Sequence, residues 1–522
     1  MISALCWVRR GVAKEYPQKY EMTEEEFNRI NNIVSNELEE AKADLDESKS
    51  EQKENKKYSH LASDPELAGL NMENYDDTDE ESEDEDGEQK GPAIFSNVKG
   101  LAYHESNAED PYITMKDEDD DSEKEETRIL STDNMLLAAK TEDNISQMEV
   151  FVFESEEDHL YNHHDIMLPE FPLCLEWLGF PTGSAQPDAQ GNFVAVGTFS
   201  PDIEIWDLDV VDAMYPKAVL GNPGGKNKRK NKGKPHNDYH TDAVMGLSWN
   251  RLARNILASS SADTTVKLWD LATTKCVRSF DHHKDKVQAV QWHPLEQAVI
   301  LTGSYDKSVA VFDTRSPQQI TRWGISADVE SIAWDHHSPA NFYAAIEDGT
   351  VQYFDVRTAS NGKGGAPVFT IHAHDKAVSA FDVHPAIPGC IVTGSIDKTV
   401  KIWSVKDNKP SMVTSRTLNV GNVFTAKFCP DSPFQLAVSG SRGQINVWDI
   451  STNSAVRSLF RSQGANIPDT DEKPLVDHST LAKENDSDDD DEDEENDEAE
   501  LAQQGGMDVD SDNDEDEDSD DA

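Results

Sequence analysis

The chain has 522 residues, and its 102 acidic residues against 47 basic ones give a formal net charge of −55. The excess of acids is local, because residues 71–126 and 469–522 hold most of it and the rest of the chain is close to charge balance. The five cysteines are far apart in sequence, which argues against a disulfide framework and favours a reducing compartment. No apolar run approaches the roughly 18 residues of a membrane span, so a cytosolic or nuclear protein is expected.

The N-terminal segment begins with MISALCWVRRG, which is more apolar than a free tail needs to be. This stretch is too short for the apolar region of a signal peptide, and its arginines follow that region instead of preceding it. Trp7 either packs on the protein's own surface or docks into a partner. With Arg9 and Arg10 it forms the candidate partner-docking set.

A helix is predicted after this opening stretch. Thr23–Glu26 matches a capping box, and apolar residues then recur at intervals of three and four, as in an amphipathic helix over residues 23 to about 57. This helix would either lie on the rest of the protein or bind a partner. Residues 1–60 are therefore predicted to be a docking segment with one amphipathic helix.

Acidic residues dominate the next part of the chain. Residues 61–92 are predicted to be a disordered acidic linker. A strand is predicted at Tyr112–Met115, followed by a second acidic loop over Asp117–Glu126. Two further strands are predicted at Met135–Ala139 and Val150–Phe153.

A pattern of two short strands joined by a turn then recurs along the chain. In NILASSSADTTVKLWD, residues 255–270, an apolar run is followed by turn residues and by a strand of period two. The aromatic residues that close successive copies are 42 to 49 residues apart: Trp269, Phe312, Phe354, Trp403 and Trp448.

A repeat of about 40 to 45 residues with a terminal Trp-Asp resembles the WD-repeat β-propeller. The predicted fold is therefore an all-β, seven-bladed WD-repeat β-propeller over residues 93–468, with a helical N-terminal extension and disordered acidic segments. The first blade is placed at about 93–168, and Tyr112–Met115 is its first strand. The other blades are expected at 173–220, 243–280, 287–322, 329–371, 378–417 and 423–460.

The resemblance implies that each well-formed blade buries a hydrogen-bonded set of His, Ser or Thr, Asp and Trp. The two complete candidate sets are His240, Ser259, Asp263 and Trp269, and His374, Thr393, Asp397 and Trp403. A third set, with His283, Thr302 and Asp306, ends in Phe312, which lacks an indole donor. Recurrence from blade to blade indicates a structural role and argues against a hydrolytic triad.

The connection between the second and third blades, residues 222–239, is predicted to be a basic loop. Six positive charges on a glycine-flanked loop suit the phosphate backbone of RNA or a nuclear import receptor, and the alternative is a purely solvating insertion. The loop has no aromatic side chain between its basic residues, so it is expected to contact backbone instead of reading bases. The basic residues are Lys226, Lys228, Arg229, Lys230, Lys232 and Lys234.

The C-terminal segment, residues 469–522, is predicted to be a disordered acidic tail. It would bind basic partners such as histones or ribosomal proteins, keep the protein soluble, or screen the basic loop. Four serines with an acid three residues downstream are candidate sites for an acid-directed kinase: Ser82, Ser122, Ser487 and Ser511.

Two consecutive blades end in Asp-x-Arg, at Asp313–Arg315 and Asp355–Arg357. These endings look like those of substrate receptors of cullin-type ubiquitin ligases, with Phe in place of Trp. The simpler interpretation is that both arginines pair with nearby carboxylates. The His-His pairs have no cysteine partners at metal spacing, so no metal site is predicted, and no cofactor or small-molecule substrate is expected.

At the level of the whole chain, the sequence resembles the periodic tryptophan protein 1 family of eukaryotes. The resemblance rests on MISALCWVRRG with Tyr16–Tyr20, the acidic insertion, the lysine-rich loop and the acidic C-terminus. It implies a nuclear and nucleolar factor in assembly of the large ribosomal subunit and maturation of its RNA, and a link to chromatin is also associated with the family.

The function predicted from the sequence is that of a non-enzymatic scaffold that binds precursor ribosomal RNA, assembly factors and ribosomal proteins. A histone-binding chromatin protein is the alternative, because acidic tails and a propeller suit that role equally well. A ubiquitin-ligase substrate receptor rests only on the two Asp-x-Arg endings.

Overall fold

The computed structural model describes residues 1–20, 127–155, 158–184, 186, 188–222, 236–316, 318–462, 464, 467 and 476–477. Within these residues, seven four-stranded sheets are arranged as the blades of a propeller, as the sequence predicts. The predicted helix over 23–57, the predicted strand at Tyr112–Met115 and the acidic linker lie outside the described residues.

Blades 1 and 2 are built from the first part of the chain. Blade 1 has the strand order β1-β3-β4-β5, blade 2 has the order β6-β7-β8-β10, and β2 pairs in parallel with β9. The strands are β1 (Ile2–Trp7), β2 (Gln18–Lys19), β3 (Asn134–Glu142), β4 (Ile145–Glu154), β5 (His159–Leu168), β6 (Pro172–Leu178), β7 (Phe193–Thr198), β8 (Ile203–Asp207), β9 (Val210–Val211) and β10 (Ala218–Leu220).

Blades 3, 4 and 5 follow in order, each with four consecutive antiparallel strands. Their strands are β11 (Val244–Trp249), β12 (Ile256–Ser261), β13 (Val266–Asp270), β14 (Lys275–Phe280), β15 (Val287–Trp292), β16 (Val299–Ser304), β17 (Ser308–Asp313), β18 (Ile320–Gly324), β19 (Val329–Trp334), β20 (Asn341–Ile346), β21 (Thr350–Asp355) and β22 (Phe369–His372).

Blades 6 and 7 complete the ring, and blade 7 includes a helix before its last strand. The elements are β23 (Ala380–Val383), β24 (Cys390–Gly394), β25 (Thr399–Lys406), β26 (Lys409–Thr417), β27 (Val423–Phe428), β28 (Gln435–Gly440), β29 (Ile445–Asp449), α1 (Ser454–Ser462) and β30 (Val476–Asp477). Short 3-10 turns follow β21 at Val356–Thr358 and β29 at Ile450–Thr452.

The turn between the second and third strands contains a left-handed residue in five blades. One residue of each turn has a positive φ, between 60° and 84°. At Gly349 an added Cβ would lie 2.1 Å from the His374 carbonyl oxygen, so this blade requires glycine. The positive-φ residues are Thr264, Lys307, Gly349, Lys398 and Gly443.

The ring closes through the N-terminus, which the sequence analysis had assigned to a separate docking segment. The first strands of successive blades contact each other, and β1 lies between β27 of blade 7 and β6 of blade 2. The innermost position of blade 1 therefore belongs to Ile2–Trp7 and not to Tyr112–Met115. The reason is that β1 has two apolar faces: Ile2, Leu5 and Trp7 are buried in a cluster shared with blade 7, and Ala4 and Cys6 pack against the cluster that includes blade 2.

The predicted end of the propeller, at residue 468, is also corrected. Residues 454–462 form α1, because Val456 and Phe460 are one helical turn apart and both are buried, while Asn453 caps the helix by accepting from the Val456 N–H. The fourth strand of blade 7 is β30, which lies inside the segment assigned to the acidic tail.

Neighbouring blades are joined by hydrogen bonds between their first strands. A polar side chain near the end of one first strand accepts the N–H of the aromatic residue that ends the next one. The bonds run from Trp249 N to Glu176 Oε1 (3.1 Å), Trp292 N to Ser248 Oγ (3.1 Å), Trp334 N to Gln291 Oε1 (2.7 Å) and Phe428 N to Asp382 Oδ2 (2.9 Å).

Because the strands of each blade are antiparallel, the turns between second and third strands lie on the same face as the connections between blades. We call this the upper face. The basic connection between β10 and β11 therefore leaves from the upper face, as does the connection between β5 and β6.

Candidate functional site

Blade 3 contains the complete hydrogen-bonded set predicted from the sequence. His240 Nδ1 lies 3.0 Å from Asp263 Oδ2, and His240 Nε2 lies 2.7 Å from Ser259 Oγ. Trp269 Nε1 donates to the same hydroxyl at 2.8 Å. Since the Asp263 carboxylate can only accept, the proton of the neutral His240 ring is on Nδ1, and His240 Nε2 accepts from the Ser259 hydroxyl.

Blade 6 repeats this geometry. His374 Nδ1 lies 2.8 Å from Asp397 Oδ2, and its Nε2 lies 2.8 Å from Thr393 Oγ1. Trp403 Nε1 donates to Thr393 Oγ1 at 3.0 Å. All eight residues predicted for these two sets are therefore brought together.

Electrostatics keep these histidines neutral. Burial lowers the pKa of His240 and of His374, and the opposing effect of the aspartate partner does not reverse the shift. Burial alone would raise the pKa of Asp263, but hydrogen bonds from His240 and Thr265 bring it well below its usual value. The set is thus a carboxylate with a neutral imidazole.

The chain of Ser259, His240 and Asp263 resembles a hydrolytic triad in its residue types, but the serine is not placed where a substrate could reach it. Ser259 is fully buried, and its oxygen is already engaged with both Trp269 and His240. The bonds connect the entry to β11 with the turn after β12. We interpret the sets as clamps that hold the upper turns of blades 3 and 6.

Blade 4 uses a different residue in place of the indole. His283 bonds Asp306 and Thr302, at 3.0 and 2.9 Å, but the closing residue is Phe312. His282 packs edge-on against Phe312, and its Nε2 lies 3.4 Å from Thr302 Oγ1. Sequence reasoning missed His282, although its position beside His283 was a usable signal.

Blade 2 also departs from the pattern. Val196 takes the place of the hydroxyl, and Trp206 Nε1 donates instead to Glu204 Oε2 at 3.1 Å. Burial raises the pKa of Glu204 to about 7, with further contributions from Asp202 and Glu170. Sequence reasoning missed Glu204, which occupies the position of Lys267 in blade 3.

The predicted docking set is used inside the propeller. Trp7 is buried and donates from Nε1 to the Lys427 carbonyl at 3.0 Å. Arg9 forms an ion pair with Asp431 at 3.1 Å, and the Arg10 N–H donates to the same carboxylate at 2.9 Å. These residues join blade 1 to blade 7, so the first of the two alternatives for Trp7, packing on the protein itself, is the one observed, and the assignment of Trp7 to a partner-docking set is corrected.

The six basic residues of the predicted RNA-contact loop lie outside the described residues, but both ends of the loop are described. The Asn222 N–H donates to Asp202 Oδ1 at 3.2 Å. At the other end, His236 stacks on Tyr239 with ring centroids 4.0 Å apart, and its carbonyl accepts from the buried Lys267 ammonium. The loop is therefore anchored on the upper face beside blades 2 and 3.

The two Asp-x-Arg endings form local ion pairs. Arg315 Nη2 lies 2.6 Å from Asp313 Oδ2, and Arg357 Nη2 lies 2.7 Å from Asp355 Oδ2. These contacts confirm the simpler interpretation of both arginines. The Arg315 and Arg357 hydrogen bonds lower the pKa of the two aspartates.

Other predicted features are placed as follows. The candidate phosphorylation sites Ser82, Ser122, Ser487 and Ser511 lie outside the described residues. Among the residues that the structure describes, no group of His, Cys, Asp and Glu has the arrangement of a metal site. In the same part of the chain, no helix is long and apolar enough to cross a membrane.

Comparison with known proteins agrees with this architecture and extends beyond it. A family model described as WD domain, G-beta repeat matches residues 234–270, 274–313 and 365–404. Periodic tryptophan protein 1 of Saccharomyces cerevisiae is 35% identical over 530 residues, which cover 90% of this chain and 91% of that protein. The chain belongs to the periodic tryptophan protein 1 family.

Two further relatives support this membership in the periodic tryptophan protein 1 family. The Periodic tryptophan protein 1 homolog of Drosophila melanogaster is 33% identical over 469 residues, covering 88% of this chain and 96% of that protein. An uncharacterized WD repeat-containing protein of Schizosaccharomyces pombe is 50% identical over 482 residues, covering 89% and 91%.

The three WD-repeat matches have a structural explanation in this periodic tryptophan protein 1 family member. They cover blades 3, 4 and 6, which are the blades with a His-hydroxyl-Asp chain centred on His240, His283 and His374. Blade 2 has Val196 in the hydroxyl position and blade 5 has Ala344 there. The matched ranges thus follow the conventional clamps.

The Thr393→Val variant tests the clamp of blade 6. Valine removes the hydroxyl that joins Trp403 to His374 and leaves two buried polar groups unpaired, so a loss of roughly 2 to 4 kcal/mol in unfolding free energy is expected. Thr393→Ser keeps the hydroxyl and is expected to lose about 1 kcal/mol, mainly for the missing methyl group. Urea denaturation followed by tryptophan fluorescence measures both, and equal midpoints for the two variants would contradict the clamp.

Proposed function

We propose that this protein is a non-enzymatic scaffold in nucleolar assembly of the large ribosomal subunit and in processing of its RNA. The observation that carries the proposal is the family membership, which extends over about nine-tenths of the chain, together with a WD-repeat propeller. The propeller's reactive-looking side chains, such as Ser259 and His240, are buried in structural contacts. This burial supports a binding role over a catalytic one.

In this proposal the basic loop contacts precursor ribosomal RNA. The loop joins Asn222 to His236 on the upper face, and its six lysine and arginine residues are close in sequence. Each lysine that neutralises a phosphate releases condensed counterions, so binding should weaken steeply with salt. The loop would supply affinity and the rigid propeller would supply placement.

The remaining segments are assigned to protein partners within the same particle. Residues 23–57 would dock with assembly factors, because an amphipathic helix offers an apolar stripe. The acidic segments would bind basic ribosomal proteins through charge complementarity. A nuclear and nucleolar location follows from this role.

The deciding experiment is crosslinking of the protein to RNA in cells. Wild type is compared with a variant in which the six basic residues of the loop are changed to Ser. Crosslinks concentrated in large-subunit precursor RNA and lost in the variant are the expected result. A matched control changes five exposed lysines on the upper faces of blades 4 and 6 and should keep most crosslinks. These lysines are Lys284, Lys286, Lys307, Lys376 and Lys398.

Two outcomes would count against the proposal. Equal loss of crosslinks in the loop variant and in the control would assign binding to the whole face and not to the loop. Absence of ribosomal RNA from the wild-type crosslinks would overturn the assembly role. Retention of core histones by residues 469–522 would then favour the chromatin alternative.

A further inference from the structure

An aromatic pair, with Phe199 exposed and Phe171 half-buried, lies on the upper face where blades 1 and 2 meet. Phe171 is on the connection from β5 to β6, and Phe199 is on the turn from β7 to β8. Their ring centroids are 5.4 Å apart, and the Phe199 N–H donates to the Phe171 carbonyl at 3.1 Å. Phe199 is 56% exposed, although its backbone is fixed by this bond.

Three acidic residues are close to this pair in sequence. Glu170 precedes Phe171, and Asp202 lies three residues after Phe199. Glu204 lies two residues further on, in β8, and the negative charges of Asp202 and Glu170 both act on it. Within the described residues, neither Glu170 nor Glu204 forms an ion pair. The surface therefore combines one exposed and one half-buried aromatic ring with three acidic side chains that act on one another.

The basic loop starts beside this surface. Val219 of β10 lies directly opposite Glu204 across the sheet, and the Asn222 N–H donates to Asp202. Lys226 is four residues beyond Asn222, and an extended chain spans about 3.3 to 3.6 Å per residue. The first lysine is thus tethered within reach of all three carboxylates, and the effective concentration of the loop at this surface is high.

The chemistry of the two partners is complementary. Lysine and arginine side chains lay their apolar stems along aromatic rings, place their charge over the ring face and pair with carboxylates. A separate basic chain would make the same contacts, but only the chain's own loop is anchored at Asp202 and Asn222. This anchoring selects the loop as the occupant.

We propose that Phe171, Phe199 and the carboxylates of Glu170, Asp202 and Glu204 form a docking site for this chain's own basic residues 226–234. The inference rests on the proposed function and adds a regulation to it. The docked loop is held by this site until phosphate groups of RNA compete for its lysines. Weak, non-cognate RNA is therefore bound less tightly than the charge of the loop alone would allow.

Carbodiimide crosslinking of the full-length protein tests the docking without RNA, because this reagent joins a lysine amine directly to a carboxylate it contacts. Peptide mapping is expected to find loop lysines joined to Glu170, Asp202 or Glu204, and added single-stranded RNA should reduce these links. A mixture of isotope-labelled and unlabelled chains should give links within one chain. Links only between chains, only to residues 469–522, or none would overturn the proposal.

A second measurement uses a pair of isosteric variants. At pH 8, above the pKa of about 7 of Glu204, E170Q/E204Q removes two negative charges, and the new amide oxygen at position 204 can still accept from Trp206. Affinity for a 20-nucleotide oligouridine at about 0.1 M salt is expected to rise three- to tenfold, since the competing carboxylates are gone. In the variant with all six basic residues of the loop changed to Ser, the same substitutions should leave the affinity for oligouridine unchanged.

The matched control is D328N/E347Q, which makes the same change in charge on the upper face of blade 5. It should alter the affinity for oligouridine less than twofold. An equal gain in both variants would assign the effect to net charge and overturn the docking site. Crosslinks without any RNA affinity would support the docking site and refute the proposed RNA contact. RNA affinity without crosslinks would refute the docking site and support the RNA contact.

Discussion

Deletion of residues 2–7 is expected to remove most of the stability of the propeller. These residues form β1, the innermost strand of blade 1, which also contacts blades 2 and 7. Burial of three large side chains, Ile2, Leu5 and Trp7, contributes roughly 5 to 9 kcal/mol. That sum is comparable with the whole stability of a typical domain, about 5 to 15 kcal/mol.

Thermal unfolding and size-exclusion chromatography measure this effect. The matched control deletes six residues, 61–66, from the acidic linker and should elute and melt like wild type. If the chain without β1 also behaved like wild type, the assignment of Ile2–Trp7 to blade 1 would be refuted.

A cut chain offers a second measurement, which does not depend on refolding a damaged protein. A protease site placed in residues 61–92 should give an N-terminal fragment that stays bound after cleavage, since β1 pairs with β3 and Arg10 and Trp7 reach blade 7. The two fragments should co-elute in native buffer and separate in strong denaturant. Separation in native buffer would contradict the role of β1.

The repeats allowed the blades from Pro172 onward to be predicted from sequence. Each copy combines period-two strands with a turn that favours specific residues, and both signals are local. The predicted sets at His240 and His374 were found for the same reason, because their members lie within one repeat. Local patterns also gave the two middle strands of blade 1.

Blade 1 could not be completed from sequence because its first strand is distant from the others. More than a hundred residues separate Trp7 from Asn134. A local sequence pattern does not indicate which distant strand will pair with β3. Trp7 was a visible signal of burial, but burial in a partner and burial in the propeller require the same apolar side chain. Only the contact with Lys427 in blade 7 distinguishes them.

Substitutions within the clamps were harder still to predict. A missing hydroxyl at Val196 implies that Trp206 needs another acceptor, but sequence does not say which side chain supplies it. Glu204 does so because residues two apart on a strand face the same side. In blade 4, Phe312 stands where several other blades have tryptophan. The packing of His282 against it depends on tertiary structure and could not be predicted from local sequence.

Acidification provides the last test, through His384. This side chain is fully buried at the turn between β23 and β24, where its Nδ1 accepts from the Ala386 and Ile387 N–H groups at 3.1 and 2.8 Å. Burial lowers its pKa to about 4. The neutral ring is therefore part of the turn, and protonation of Nδ1 would break both bonds.

The sign of the pH effect follows from this lowered pKa. In the unfolded chain a histidine binds its proton near pH 6.5, whereas the folded protein resists protonation until about pH 4. The contribution of His384 to the unfolding free energy is thus constant above pH 7, and the unfolding free energy falls as the pH drops through 6.5. At pH 5 the loss from His384 is about 2 kcal/mol, since one pH unit between the two pKa values corresponds to about 1.4 kcal/mol.

Blade 3 supplies the substitution that isolates this effect. Asn250 occupies the equivalent turn, and its Oδ1 accepts from the Leu252 and Ala253 N–H groups at 3.0 and 2.8 Å. His384→Asn should therefore keep the turn and remove the titration. Between pH 7.5 and pH 5, wild type is expected to lose about 2 kcal/mol more unfolding free energy than this variant in urea denaturation.

The control for this comparison is His372→Asn, which changes an exposed histidine at the end of β22 and should follow wild type at both pH values. If His384→Asn lost as much stability on acidification as wild type, protonation of His384 would not be the cause. Because wild type and His384→Asn share every other titrating group, the difference between these two proteins measures His384 alone. The outcome therefore decides whether a single buried ring sets part of the acid sensitivity of this propeller.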